Sequence, residues 1–179
     1  VRFSPLQKTQ EIQTGVVINM DEEVIEFLKE SNAIESVFDN TSLYQAQRAW
    51  AYLERQKSLT PGVILRLHKI LMLRSKLAPN EKGYFRLEMV YVNREPMLDP
   101  EEIPQAINDW VITHGRSGGE DGIKNAHIAF EKIHPFIDGN GRIGRIIMNW
   151  QRVHAYLPIV IIHQGEDQLE YYKWFQKHD

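Results

Sequence analysis

His134-Pro135-Phe136-Ile137-Asp138-Gly139-Asn140-Gly141-Arg142-Ile143-Gly144-Arg145 is the stretch from which the rest of this chain can be laid out. It reads as a loop that tightens into a helix. Pro135 disfavours the helical region for the residue before it, which predicts extended backbone at His134. Asp138-Gly139-Asn140-Gly141 is turn chemistry, rich in residues that tolerate positive φ. Ile143, Ile146, Ile147, Trp150, Val153, His154 and Leu157 then recur at helical spacing, so a helix begins near Asn140.

The charge in this stretch is unusual. Arg142 and Arg145 fall in the first turns of the helix, where the macrodipole disfavours cations, and at a spacing of three they share a face. Free backbone N–H groups at a helix start already attract an anion. Two guanidinium groups beside a glycine-lined helix start make sense if a polyphosphate is bound there. Asp138 adds a hard oxygen ligand suited to Mg²⁺, which takes one or two carboxylates together with phosphate oxygens. His134 can move a proton near neutral pH. An EF-hand reading fails, because its first and last ligand positions would fall on Phe136 and Ile147. A P-loop reading fails because no lysine follows the glycines.

The chain has 179 residues, 42% hydrophobic and 25% charged, as expected of a globular protein with a real core. A net charge of -3 gives no hint of a nucleic-acid surface. With no cysteine there is no disulfide framework or thiolate metal site, which is compatible with a reducing, cytoplasmic setting. No apolar run is long enough to span a membrane, and no signal peptide is visible, although the first residue is Val1.

Along the chain, 1–20 reads as irregular, with a short strand near Val16–Ile18. Asp21 opens a helix carrying Val24, Ile25, Phe27 and Leu28. Thr41 or Ser42 opens a second, to about Gln56, and Thr60-Pro61 a third, with Ile64, Leu67, His68 and Leu71. His68 and His127 share apolar stripes and read as packed residues rather than catalysts. The aromatic, β-branched run Tyr84–Val92 reads as a strand or hairpin. Asp99-Pro100 caps a helix that Gly115 ends, and Ile123–Ile133 forms the helix that delivers His134. Phe136 reads as a core anchor. Ile159–Ile162 is a short apolar stretch, and Gly165–Gln176 a last helix.

HPFIDGNGRIGR resembles the signature of Fic domains, His-Pro-Phe-x-(Asp/Glu)-Gly-Asn-Gly-Arg-x-x-Arg, at every defined position. The resemblance implies a mainly helical, all-α fold with a small β-hairpin flap. It divides the chain into an N-terminal helical region at 1–58 and a catalytic core at 59–179, which in the family usually continues beyond Asp179. It implies a protein adenylyltransferase that moves AMP from ATP, with Mg²⁺, to a hydroxyl of a target protein. His134 would be the base and Asp138 the metal ligand. Gly139, Asn140, Gly141, Arg142, Gly144 and Arg145 would hold the nucleotide, with the Asn140 side chain among the phosphate contacts. Flap residues Val90, Tyr91, Val92 and Asn93 would border the nucleotide, and Tyr171 and Tyr172 would lie near the adenine. The target segment would add as a strand along the flap near 84–93.

Ser31-Asn32-Ala33-Ile34-Glu35 is similar to the family's inhibitory helix motif, Ser/Thr-x-x-x-Glu-Gly/Asn, with Ser36 departing from it. The resemblance implies that Glu35 pairs with Arg145 and blocks the γ-phosphate. Two other readings remain open from sequence: a nucleotide-responsive binding module that transfers nothing, and a relative that removes AMP. Oligomeric state, including a homo-oligomer, is likewise open.

Overall fold

A computed structural model describes residues 20–176. Among them are seven α-helices: α1 Glu22–Ile34, α2 Asn40–Glu54, α3 Pro61–Leu71, α4 Ile103–His114, α5 Glu120–Ile133, α6 Asn140–His154 and α7 Glu166–Lys173. Between α3 and α4 lie a two-stranded antiparallel hairpin, β1 Tyr91–Val92 and β2 Glu95–Pro96, and a 3₁₀ turn, Pro100–Glu102. The mainly helical fold with a small hairpin agrees with the sequence. The strand expected near Val16–Ile18 lies outside the described residues.

α6 is the axis. Every residue from Arg142 to Arg152 is buried, as expected of a helix packed on all sides. It lies against α1, α2, α3 and α5. One apolar cluster draws Phe27 from α1, Trp50 from α2, Leu67 from α3, Ile107 from α4, Phe130 from α5 and Ile146 from α6, so it spans both sides of residue 58. The polar residues of α6 survive burial because each finds a partner. Asn149 exchanges two hydrogen bonds with the Val160 backbone, at 2.8 and 2.9 Å. Gln151 donates to His114 O and Arg152 to Pro158 O. The stretch at Ile159–Ile162 is thereby pinned without regular structure.

Helix starts follow local chemistry, with corrections. Thr60 accepts from Val63 N, and Pro61 occupies the first turn as expected. Asp21 holds the cap position of α1 but makes no side-chain cap bond. α2 starts earlier than expected: Asp39, not Thr41 or Ser42, is its cap, and it accepts from Ser42 N at 2.8 Å. α5 begins at Glu120, three residues ahead of the apolar periodicity. The Tyr84–Val92 run is mostly not strand. Only Tyr91 and Val92 pair, through a two-residue turn at Asn93-Arg94 with φ of 51° and 69°. The rest of the run has another use, described next.

Candidate active site

The loop between α5 and α6 is held from both ends. His134 N donates to Phe130 O at 3.1 Å, and His134 itself is left-handed, with φ 50° and ψ 61°. The expectation of extended backbone there is corrected. Proline forbids continuation of the right-handed helix, but the left-handed conformation also ends a helix and folds the chain back on itself. For a residue with a Cβ it is strained, and strain persists only where neighbours enforce it. Arg86 is the enforcer. Its backbone N donates to Pro135 O at 3.0 Å and its Nε to His134 O at 2.8 Å. Its other guanidinium nitrogens donate to Glu88 O and Leu98 O. Arg86 is 2% exposed. The 84–90 segment therefore braces the loop instead of pairing as a strand.

Inside the loop, Phe136 is fully buried, as expected of an anchor, and stacks on His68 with centroids 3.8 Å apart. His68 is packed as expected, and it is also wired. Its Nε2 donates to Asp138 O at 3.0 Å and its Nδ1 accepts from Gly83 N at 2.9 Å, which fixes one neutral tautomer. Burial pushes its pKa down to about 4. The Asn140 amide is spent on the loop as well, accepting from Phe136 N and donating to Phe136 O, both at 2.9 Å. One amide N–H and the amide oxygen are thus committed to holding the loop. Gly139, with φ 85°, makes the left-handed step into α6, and a Cβ there would meet Met72 Sδ at 3.0 Å.

At the start of α6 lies the anion seat. The Glu35 carboxylate rests over Gly141, where a Cβ would fall 2.5 Å from Glu35 Oε1. Arg145 NH2 grips that oxygen at 2.8 Å. The same guanidinium donates through Nε to Ser31 Oγ and through NH2 to Ser31 O, each at 2.9 Å, and through NH1 to Tyr171 OH at 3.4 Å. Burial alone would disfavour the Arg145 charge, but the Tyr171 hydroxyl and Glu35 outweigh it and hold its pKa above arginine's ordinary value. The expected pairing of Glu35 with Arg145, with Ser31 alongside, is thus present in the geometry.

Glu35 ends α1 in a Schellman turn: Ser36 N donates to Ala33 O and Val37 N to Asn32 O. Ser36 has φ 56°. That position favours Gly or Asn, which gives a physical reason for the motif from which Ser36 departs.

His134 and Asp138 face this seat's surroundings differently. Nδ1 of His134 meets Glu131 O at 3.3 Å, and a carbonyl can only accept, so Nε2 is the nitrogen left to take a proton. Burial lowers the His134 pKa, partly offset by that carbonyl, so the imidazole is neutral near pH 7. The Asp138 carboxylate accepts from Gly139 N at 2.6 Å and lies 3.3 Å from Arg142 NH2. Its side chain is 57% exposed. Among the described residues no group of three or more His, Asp or Glu could hold a metal. A single exposed carboxylate beside an anion seat still fits Mg²⁺ that arrives with phosphate ligands.

The remaining expected residues are spread more widely. Gly144 faces α5, where a Cβ would collide with Glu131 Oε1 and the His127 ring, so it serves close helix packing. Tyr171 is 4% exposed beneath Arg145, its hydroxyl 2.9 Å from His127 Nε2, whereas Tyr172 is 44% exposed and accepts from Gln168. In the flap, Tyr91 and Val92 are exposed, as are Tyr84, Leu87 and Met89 nearby. Three residues of the site had no sequence assignment there: Arg86, His68 as a loop brace, and Glu131. A lone arginine inside an aromatic run and a histidine inside an apolar stripe were the available signals.

The Fic/DOC family model matches residues 58–151. A protein adenylyltransferase Fic of Nematostella vectensis is 28% identical over 130 residues, covering 70% of this chain and 30% of its own length. The protein adenylyltransferase fic-1 of Caenorhabditis elegans is 33% identical over 114 residues, covering 61% and 22%. The chain thus spans less than a third of these curated relatives. Among solved structures, a Fic domain containing signaling protein of Bacteroides thetaiotaomicron superposes with a TM-score of 0.68 at 20% identity, covering 83% of this chain and 69% of that one. Fic-1 of C. elegans (aa134–508) gives 0.67 at 22% identity, covering 86% and 55%. The signature loop, the helix it opens and the family match agree, and the chain belongs to the Fic/DOC family.

Proposed function

We propose that this protein is an adenylyltransferase, moving AMP from ATP to a hydroxyl of a target protein, and that Glu35 restrains it in cis. The observation that carries the reading is the buried Arg145 fork, gripping a carboxylate seated on the first turn of α6. A γ-phosphate oxygen would satisfy the same guanidinium and the same helix start, so the two compete for one seat. Backbone N–H groups around Gly139 to Gly141 and the Arg142 and Arg145 side chains would hold the β- and γ-phosphates. Asp138 would hold Mg²⁺, which when bound neutralises phosphate charge.

In the transfer step, His134 Nε2 takes the proton of the target hydroxyl. That oxygen forms a bond to the α-phosphorus while the α-phosphorus to β-bridging-oxygen bond breaks, and pyrophosphate leaves with the electron pair. Positioning and charge stabilisation supply most of the acceleration. The exposed apolar side chains Tyr84, Leu87, Met89 and Tyr91 suit a target segment lying along the hairpin. No helix among the described residues is long and apolar enough to cross a membrane, and a cysteine-free chain suits a cytoplasmic setting.

The test is α-labelled ATP with the Glu35→Gly protein and a cell lysate. Label on protein is expected, weaker with Glu35 intact and lost with His134→Ala. Absence of label from the Glu35→Gly reaction would overturn the reading.

A further inference from the structure

Behind the His134 imidazole lies a carboxylate that the signature does not contain. Glu131 is in the last turn of α5, and the left-handed turn at His134 folds the ring back onto it. Glu131 O accepts from Nδ1 at 3.3 Å, and Glu131 Oε2 lies 4.0 Å from the same nitrogen. The Glu131 side chain is only 13% exposed and its Oε1 is buried without a partner. That oxygen packs against Gly144, the one residue of α6 whose missing side chain leaves room for it. A carboxylate in such a place is costly, and an apolar or amide side chain would fill the space more cheaply.

We propose that the Glu131 side chain is a positioning residue for the transfer reaction: the Glu131 carbonyl holds the proton on His134 Nδ1, and the carboxylate beside it balances the imidazolium formed when Nε2 takes the target's proton. Glu131 receives no proton in the step; the transferred proton stays on His134 Nε2. The inference rests on the transferase reading above.

The charged and titratable groups around Glu131 support it. Arg145 faces Glu131 from α6, Glu35 from α1 and Tyr171 from α7, with His127 and His134 on its own segment. On His134, Arg86 from the flap favours the neutral ring, whereas Glu35 from α1 and Asp138 from the loop favour the charged one. Burial pushes the Glu131 carboxyl up to about 7, opposed by Arg145 and reinforced by Glu35.

The experiment compares Glu35→Gly protein with Glu35→Gly/Glu131→Gln and Glu35→Gly/Glu131→Asp. The His134 ring signal, assigned against His134→Ala, is titrated by NMR in ¹³C-histidine-labelled protein, and thermal unfolding reports folding. Removing the anion should lower the His134 midpoint by about one pH unit. The turnover number should fall about tenfold with the KM for ATP unchanged, and the acid limb of the rate should move down with the midpoint. Glu131→Asp should restore part of both. An unmoved His134 midpoint in folded Glu131→Gln protein would overturn the proposal, whatever the rate. A moved midpoint with no transfer by the Glu35→Gly parent would uphold the Glu131–His134 link and reject the transferase reading instead.

Discussion

Arg86→Lys separates charge from geometry at the residue that holds His134 in its strained turn. Arg86 donates to three carbonyls, of His134, Glu88 and Leu98. A lysine keeps the charge but is a single point donor on a flexible stem, and it cannot span three acceptors that a planar fork reaches at once. One or two of these bonds should be lost. Each hydrogen bond to a charged group contributes about 1.5–3 kcal/mol, so the expected destabilisation is about 2–4 kcal/mol, water at Glu88 softening the loss. For a domain of this size the melting temperature should fall by about 4–16 °C. Function should suffer more than stability. The His134 carbonyl would lose its clamp, and an ångström of drift at a reacting group can cost about a hundredfold in rate. The assays are thermal unfolding and AMP transfer in a Glu35→Gly background. A folded Arg86→Lys protein that melts and transfers like its parent would refute the bracing role.

Two further perturbations test the neighbouring elements. Ser36→Gly should relieve the left-handed strain at φ 56°, stabilising the protein by about 0.5–1 kcal/mol after the glycine's extra freedom in the unfolded chain is counted. With Glu35 then held more firmly, basal transfer should drop about two- to fivefold, read from unfolding curves and labelling of otherwise unaltered protein. Acid should destabilise the fold through His68. Its folded pKa of about 4 lies below the ordinary 6.5, so the unfolded chain binds more protons between those values. Stability is then full above about pH 6.5 and falls as pH drops toward 4, by about 3 kcal/mol from this residue, and His68→Gln should flatten that slope in denaturant titrations.

What could be read from sequence was local. The turn residues 138–141, the helix that follows and the Thr60-Pro61 start are set by near neighbours, and the structure agrees with them. The Glu35–Arg145 pair came from likeness to a family motif rather than from spacing, since 110 residues separate its members. Errors arose where tertiary contacts outvoted local preference. Tyr84–Val92 has strand composition, but Arg86 commits its backbone to Pro135 and its side chain to three carbonyls, leaving a two-residue strand. His134 has the sequence of an extended residue, yet the brace selects the other conformation that a proline allows. Glu131 and His68 were not legible as site residues, because their significance lies in which loop atoms they meet across the fold.

On the proposed function, the seat at α6 would let restraint and catalysis share residues without rebuilding the site at each switch. Arg145 has four kinds of partner, and only one of them, the Glu35 carboxylate, competes with phosphate. Ser31 lies one turn earlier in α1 and holds the guanidinium through its hydroxyl and its carbonyl. Tyr171 supports it from α7. On the proposed function, the fork would stay aimed at the seat when Glu35 leaves, so ATP would meet a charge already in place and little reorganisation would be needed. The motion required is therefore small. Glu35 is the last residue before a turn whose next position is strained, and its side chain is 39% exposed. Swinging the Glu35 side chain aside would release the carboxylate while the buried last turn, Ser31 to Ile34, stays in place and keeps its hold on Arg145. On the proposed function, a half-exposed side chain carried by a firmly packed helix is a restraint that ATP would displace with the surrounding groups left where they are.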